Sequence, residues 1–386
     1  MLISGFEEIA KAAAPGGAAV VLFSGGLDSS YLLARLREHE HLRVYALCVD
    51  LGGGDDLDAA RRTAALLGAE PVVADHTETF AAEFVAPAIP AQAVYLGLHP
   101  VSSSLSRPLL ARVAVGLAER VGATLLLHTA NRSQNSLRRL NTAIAALGYE
   151  GHYGSPYAAD AVSREDKQRA LRDAGFPEFT ARTQSGDANL WCREFESGLL
   201  EDPEWFPVPD ALYAWTSDRP PAQPEDLTLD FTGGLPVALD GAPLPPHAMI
   251  AELNVRAGRY GLGRYAGLEH IDGGEKVLEV REMPAACLLL YAYRQLEAAT
   301  VPAETMREKL AMEQLWTREA LEGRWFGPSR LAADAFIRAV ARAVTGRVTV
   351  RLSGAGPQAV SIRADEPLYI RDRDAWERAT ATGLTR

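Results

Sequence analysis

The chain has 386 residues, 47% hydrophobic and 23% charged, and a net charge of −11. That length suits two domains with cores of their own, and the acidic balance argues against nucleic acid as the main partner. No run is apolar enough to span a membrane, and three scattered cysteines, Cys48, Cys192 and Cys287, form no CxxC pair, which points away from disulfides and zinc knuckles and toward a reducing cytoplasm.

In chain order, Met1 to Ala14 reads as a short amphipathic helix on the spacing of Phe6, Ile9 and Ala13. Ala18 to Phe23 reads as a buried parallel strand, and Tyr31 to Leu36 as a helix. Arg43 to Asp50 is a second strand, ending in Leu51-Gly52-Gly53-Gly54. Asp55 and Asp56 then cap a helix to Leu67. Glu70 to Asp75 is a short strand, Thr77 to Ile89 and Ser104 to Val121 are helical, and Ala123 to His128 is another buried strand. This alternation predicts an α/β fold with a doubly wound parallel sheet, whose ligands sit beyond the carboxyl ends of the strands. The pattern ends near Phe176-Pro177. Beyond it, Thr228 to Phe231 and Pro236 to Leu239 read as a hairpin, and His247 to Ala257, Pro284 to Ala298 and Leu331 to Val344 as helices. The second half is therefore expected to be a mixed α+β domain.

Between the first strand and its helix lies Ser24-Gly25-Gly26-Leu27-Asp28-Ser29-Ser30. Two glycines let successive N–H groups converge, the helix start adds free N–H groups and dipole, and three serines add hydroxyls. The loop contains no lysine, so it is not a Walker A loop. Such a cradle suits a pyrophosphate leaving group accompanied by a metal ion, with Asp28 facing the metal.

These residues, with Ser106-Arg107-Pro108, Asp187-Ala-Asn-Leu-Trp191, Gly198-Leu-Leu-Glu-Asp-Pro203 and Gly258-Arg-Tyr-Gly-Leu-Gly-Arg264, make the chain resemble argininosuccinate synthases from Val20 to about Arg371. The resemblance implies an adenine nucleotide alpha hydrolase-like PP-loop domain over residues 1–180. A synthetase domain over 181–365 and a shortened tail over 366–386 would follow. It implies an ATP-dependent ligase that adenylates an oxygen, releases pyrophosphate and then lets an amine displace AMP, with ATP and Mg2+ required. Homo-oligomers, dimers or tetramers, are implied, with amino-acid-like small molecules as partners and neither nucleic acid nor membrane.

Carried over by position, Leu22, Phe23, Ser24, Gly25, Gly26, Leu27, Asp28, Ser29, Ser30, Val49, His128 and Thr129 fall on the ATP site. Asp28, Ser24 and Ser29 are placed nearest the chemistry, and Asp28 on Mg2+. Ser104, Asn135, Arg139, Ser185 and Glu269 match citrulline-binding positions. His99 and Arg281 stand where the family has tyrosine, and Glu194 where it has serine. The loop His128-Thr-Ala-Asn-Arg-Ser-Gln-Asn-Ser136 lacks three glycines and a lysine of the family pattern, and Asn131 and Ser136 replace its aspartate-binding threonine and aspartate.

The added charges read two ways. Glu194 and Arg281 pair with each other inside the protein, or they mark a substrate pair altered from citrulline and aspartate. His99 is either a packed ring or a substrate contact, His128 caps its loop rather than catalysing, and Arg132 is solvated or replaces the lost lysine. The altered pair is the leading reading, and the unmodified synthase is its alternative. A PP-loop sulfur transferase would need a nucleophilic Cys48. An ATP-binding regulatory remnant would fit only the missing glycines.

Overall fold

The computed structural model describes residues 1–54, 56–176, 185–196, 198–271 and 273–381. In chain order the first half runs β1 (Leu2–Ile3), α1 (Phe6–Ala12), β2 (Ala18–Leu22), α2 (Leu27–Leu36), β3 (Arg43–Asp50), α3 (Leu57–Leu66), β4 (Glu70–Asp75) and α4 (Thr77–Thr79). A π-helical stretch, Phe80–Val85, joins α4 to α5 (Ala86–Ala88), and a small ladder of β5 (Val94–Tyr95) with β6 (His99–Pro100) follows. Then come α6 (Ser103–Val121), β7 (Leu125–Leu127), α7 (Ser136–Ala146), β8 (His152–Gly154) and α8 (Arg164–Asp173).

Six of these strands form one sheet in the order β1-β8-β7-β2-β3-β4, parallel at every pairing. The expected doubly wound α/β sheet is therefore present, extended by β8 and β1. From β2 the chain winds one way to β3 and β4, and on the other side lie β7 and β8. The loops after β2 and β7 diverge there, which is where such sheets bind ligands. Val20, Val21, Leu47, Leu126 and Leu127 are buried completely or nearly so, as continuous apolar strands covered on both faces must be.

Local differences from the sequence expectations have local causes. The helix expected from Tyr31 begins at Leu27, because Gly26 at ψ 175° caps it and polar Asp28, Ser29 and Ser30 form its first turn. Asp56 caps α3 as expected, accepting from the Ala59 N–H at 2.8 Å; Asp55 lies outside the described residues. The helix expected over Thr77 to Ile89 contains the π turn, which brings Phe80, Ala81, Phe84 and Val85 together on the buried side.

The second half contains β9 (Ser185–Asn189), β10 (Cys192–Glu196), β11 (Glu225–Thr232), β12 (Leu235–Leu239), β13 (Ala242–Pro243), α9 (Pro246–Gly258), β14 (Arg264–His270) and β15 (Lys276–Glu282). It closes with α10 (Pro284–Thr300), α11 (Ala303–Leu321), α12 (Pro328–Ala341), β16 (Gly346–Ser353), β17 (Gly356–Ala364) and α13 (Arg373–Thr380). The predicted hairpin is β11–β12, and it belongs to a five-stranded sheet completed by β13, β16 and β17. A separate antiparallel sheet, β14-β15-β10-β9, carries many charged residues and was not foreseen. Leu190, Trp191, Met249, Tyr293, Trp316 and Val348 join the second half to Phe80, Phe84 and Leu105 in one apolar core. Among the described residues no helix is long and apolar enough to cross a membrane.

Candidate active site

The loop after β2 is folded as an anion cradle. Gly25 has φ +72°, and a Cβ there would lie 3.2 Å from Ala60 Cβ, so both the conformation and the space call for glycine. Ser24 Oγ lies 3.4 Å from the Gly26 N–H and 3.3 Å from Ser29 Oγ, which itself donates to the Gly26 carbonyl at 3.2 Å. Ser30 Oγ is buried without a hydrogen-bond partner. The first-turn N–H groups of α2 have no intrahelical acceptor, so the loop offers converging donors and one orphaned hydroxyl.

The loop itself has no lysine, yet the fold delivers one. Lys167, on α8, places Nζ 2.8 Å from Asp28 Oδ1 and 4.5 Å from the centre of the Tyr157 ring. The Tyr157 hydroxyl donates to the Asp28 carbonyl at 2.8 Å, and burial, with Asp28 nearby, pushes its ionisation well up. Asp28 is an oxygen donor of the kind Mg2+ takes, and one carboxylate with substrate phosphates suffices for that ion.

Other ATP-site candidates frame the same edge. His128 is buried, with Nε2 2.9 Å from Asn141 Oδ1 and Nδ1 accepting from the Ala130 N–H at 3.3 Å. Burial holds its pKa down to about 4, so it is a neutral ring that caps its loop, as the sequence suggests. Val49 is half-buried near the end of β3, and Thr129 follows His128 at the mouth of β7. A Cβ on Gly53 would fall 2.4 Å from the Ala188 carbonyl oxygen, so this glycine lets the loop after β3 touch β9. The Leu190 N–H, donating to the Leu51 carbonyl at 2.8 Å, ties the same two loops. The charged antiparallel sheet is thereby held against the nucleotide edge of the parallel one.

On that sheet Glu194 and Arg281 stand directly opposite each other across β10 and β15. Arg281 is 2% exposed; its Nη1 lies 3.3 Å from Glu194 Oε1, and its Nη2 reaches both Glu269 and Glu279. The internal ion pair considered from the sequence is thus present, enlarged to three carboxylates on one guanidinium. Glu269 also takes Arg139 Nη2 at 3.3 Å and Asn135 Nδ2 at 3.1 Å. Arg139 continues to Ser103 Oγ at 2.6 Å. Burial would raise Glu269, but Arg281 and Arg139 outweigh it and hold its pKa at about 2. Glu279 goes the other way: burial, joined by the neighbouring Glu269 and Glu194, lifts it well above the ordinary range despite Arg281.

His99 packs against the Tyr265 ring at 4.6 Å between centres, and burial with Arg281 nearby lowers its pKa to about 4. Its Nδ1 faces the Pro100 carbonyl at 3.0 Å, while Nε2 has no hydrogen-bond partner. Ser104 Oγ and Arg281 Nε are likewise buried without partners. With Glu194 Oε1, four buried polar atoms around this charged layer have no hydrogen-bond partner among the described residues, a pattern that calls for an explanation.

Ser136 accepts from Arg107 Nε at 2.9 Å, and Arg107 also binds Asp187 at 2.8 Å. Asn131 turns into its own loop, accepting from the Ser133 N–H at 3.0 Å. The Ser185 side chain lies outside the described residues. Arg132 is exposed and donates to the Ala158 carbonyl at 2.7 Å. Sequence reasoning missed Lys167, Tyr157 and Glu279 altogether, and cited Arg107 only as part of a motif.

Burial raises all three thiols, Cys48 to about 11 and Cys287 to about 12. None is the activated thiolate that a sulfur transferase needs.

Two family models match: the arginosuccinate synthase N-terminal HUP domain over residues 18–176 and the arginosuccinate synthase C-terminal domain over residues 184–382. Argininosuccinate synthase of Rubrobacter xylanophilus is 36% identical over 362 residues, covering 92% of this chain and 88% of its own length. That of Symbiobacterium thermophilum is 36% identical over 366 residues, covering 93% and 91%. Among solved structures, NAD+ synthetase from Burkholderia pseudomallei aligns over 46% of this chain and 66% of its own, with 22% identity and a TM-score of 0.32.

Proposed function

Because the chain belongs to the argininosuccinate synthase family, we propose that it is an ATP-dependent ligase, forming AMP and diphosphate, that joins citrulline to aspartate. The relatives' name supports this pair ahead of an altered one, reversing the order in which the sequence alone ranked them. The observation that carries the reading is the meeting of two half-sites. The serine-glycine cradle follows β2 at the carboxyl edge of the parallel sheet, and the loop after the neighbouring β3 packs on β9 of the sheet that carries Glu269 and Arg281.

The chemistry asks the protein mainly to position reactants and neutralise charge. The ureido oxygen attacks the α-phosphorus of ATP, and the bond to pyrophosphate breaks, its oxygen keeping the electron pair. Leu22 to Ser30 grip the departing phosphates, with Ser24 and Ser29 hydroxyls as donors. Mg2+, when bound at Asp28, supplies charge neutralisation on the phosphates. Val49, His128 and Thr129 border the nucleoside. His99, Ser104, Asn135, Arg139, Ser185, Glu194, Glu269 and Arg281 hold the acceptor. The aspartate amine, beside Asn131 and Ser136, then attacks the activated carbon and AMP leaves with its oxygen. Division into a nucleotide domain, a synthetase domain and a short tail, assembly into a homo-oligomer, and residence in the cytoplasm belong to the same proposal.

Purified protein given ATP, Mg2+, citrulline and aspartate should release pyrophosphate and form AMP and argininosuccinate in equal amounts. A second reading, an altered acceptor, is favoured by Arg281 and its three carboxylates, which fill the layer with charge. Turnover with citrulline and aspartate eliminates that reading. Turnover only with other ureido, amide or carboxylate acceptors establishes it. No pyrophosphate release with any acceptor refutes the ligase.

A further inference from the structure

A pyrophosphate leaving group bears several negative charges, and residues 22–30 contribute no basic side chain to meet them. We propose that Lys167 of α8 is the missing cation of the cradle, a pyrophosphate-binding residue brought in from outside the loop. This rests on the ligase reading given above, but its test does not need turnover.

Placement comes first. On α8 the residues Glu165, Asp166 and Arg169 are solvent-facing, whereas Lys167 and Leu171 lie on the buried side. A lysine thus occupies a position where an amphipathic helix ordinarily carries an apolar residue. Its side chain is 11% exposed and runs to the first turn of α2, ending 2.8 Å from Asp28 Oδ1. The Tyr157 ring, braced edge-on by Phe6 at 5.4 Å, lies along it at 4.5 Å. The ammonium is therefore aimed at the helix end whose N–H groups form the anion site, and the ring restricts where it can go.

A purely structural ion pair explains this poorly. The Asp28 side chain is 39% exposed, so water screens the pair, and exposed pairs contribute little. Immobilising a lysine side chain costs conformational entropy that such a pair scarcely offsets. A function in the cradle explains both partners. Before nucleotide binds, Lys167 neutralises the one carboxylate that would repel polyphosphate. With Mg2+ bound, Asp28 would hold the ion, and the ammonium it releases would be free to meet the anion directly. As the Pα–O bond breaks, the electron pair stays on the departing oxygen. Lys167 keeps its proton and acts by charge alone.

The test is pyrophosphate and AMP binding by calorimetry with Mg2+ present, on wild type, Lys167→Met, Lys167→Gln and Lys167→Arg full-length proteins. Loss of a charge-assisted contact should weaken pyrophosphate binding about 10- to 100-fold in Met and Gln. AMP binding should change less than about threefold, and arginine should restore most of the loss, because only the pyrophosphate end faces α8. Melting temperature monitors the fold, and the Gln variant keeps a polar group should Met fail to fold. Unchanged pyrophosphate affinity in either neutral variant overturns the proposal, as does equal weakening of AMP. A wild-type protein that binds pyrophosphate through Lys167 but turns over no acceptor keeps this inference and rejects the ligase reading.

Discussion

Replacing Arg281 by methionine removes the guanidinium shared by Glu194, Glu269 and Glu279. Taking one partner from a buried ion pair typically costs ~3–5 kcal/mol. The three acids do not contribute equally. Glu269 keeps Arg139 at 3.3 Å, Glu194 is 12% exposed, and Glu279 already disfavours its charge. The loss at neutral pH should therefore sit at the lower end, about 3 kcal/mol. Its pH dependence has a definite sign. In wild type the Glu269 carboxyl, held at about 2, contributes stability above its unfolded value of ~4.3 that disappears as pH falls through about 2. In the variant, burial is no longer opposed by Arg281. Burial then pushes the Glu269 and Glu279 carboxyls up and they take up protons as pH drops, so the gap to wild type should narrow from about pH 7.5 to about pH 5. Glu279→Gln is the companion: burial already disfavours the charge of this carboxyl, so its removal should cost less than the loss of Arg281. Urea unfolding of both variants at the two pH values measures this. Equal losses in the two variants, or a gap independent of pH, would refute the assignment of charge among these acids.

Asp28→Asn should abolish pyrophosphate release and leave the melting temperature nearly unchanged, since its carboxylate is part-exposed; retained release counts against the metal role. His99 and His128 are both held near 4 by burial, against ~6.5 unfolded. Their stabilisation is complete above ~6.5 and is lost as pH falls toward 4, by up to about 3 kcal/mol each, and His128→Asn should flatten that slope in unfolding curves. Gly53→Ala forces a methyl against the Ala188 backbone and should cost ~1–3 kcal/mol while loosening the join between the two half-sites. A variant as stable as wild type, with unchanged KM for both substrates, contradicts that.

The parallel sheet and its cradle were legible because their signals are local: apolar runs such as Val20 to Phe23, glycines, and serines at a helix start. The β10–β15 layer was not, because its strands mix charge with apolar residues, and Glu279 looks like any strand glutamate until the strand alternation of β15 puts it on the face of Arg281 two residues on. Lys167 was invisible for a similar reason. Arg164–Asp173 reads as a charged surface helix, and only tertiary placement turns its single lysine inward. Glu194 and Arg281 could be named as a pair from sequence, but a strand register was needed to show that they face each other.

The edge strand β1 has a consequence for how the chain is made. The Met1 amino group reaches the Gly151 carbonyl at 3.2 Å, and Leu2 pairs with Tyr153, across 150 residues of chain. At ~5–20 residues per second, a ribosome needs roughly 8 to 30 seconds to supply that partner. Throughout this interval β1 has no strand beside it, although Ile3 and Ile9 share their apolar cluster with residues of β2, α2 and β3. Leu2 and Ile3 are thus among the last residues of their sheet to gain a partner strand, although they precede the rest of it along the chain.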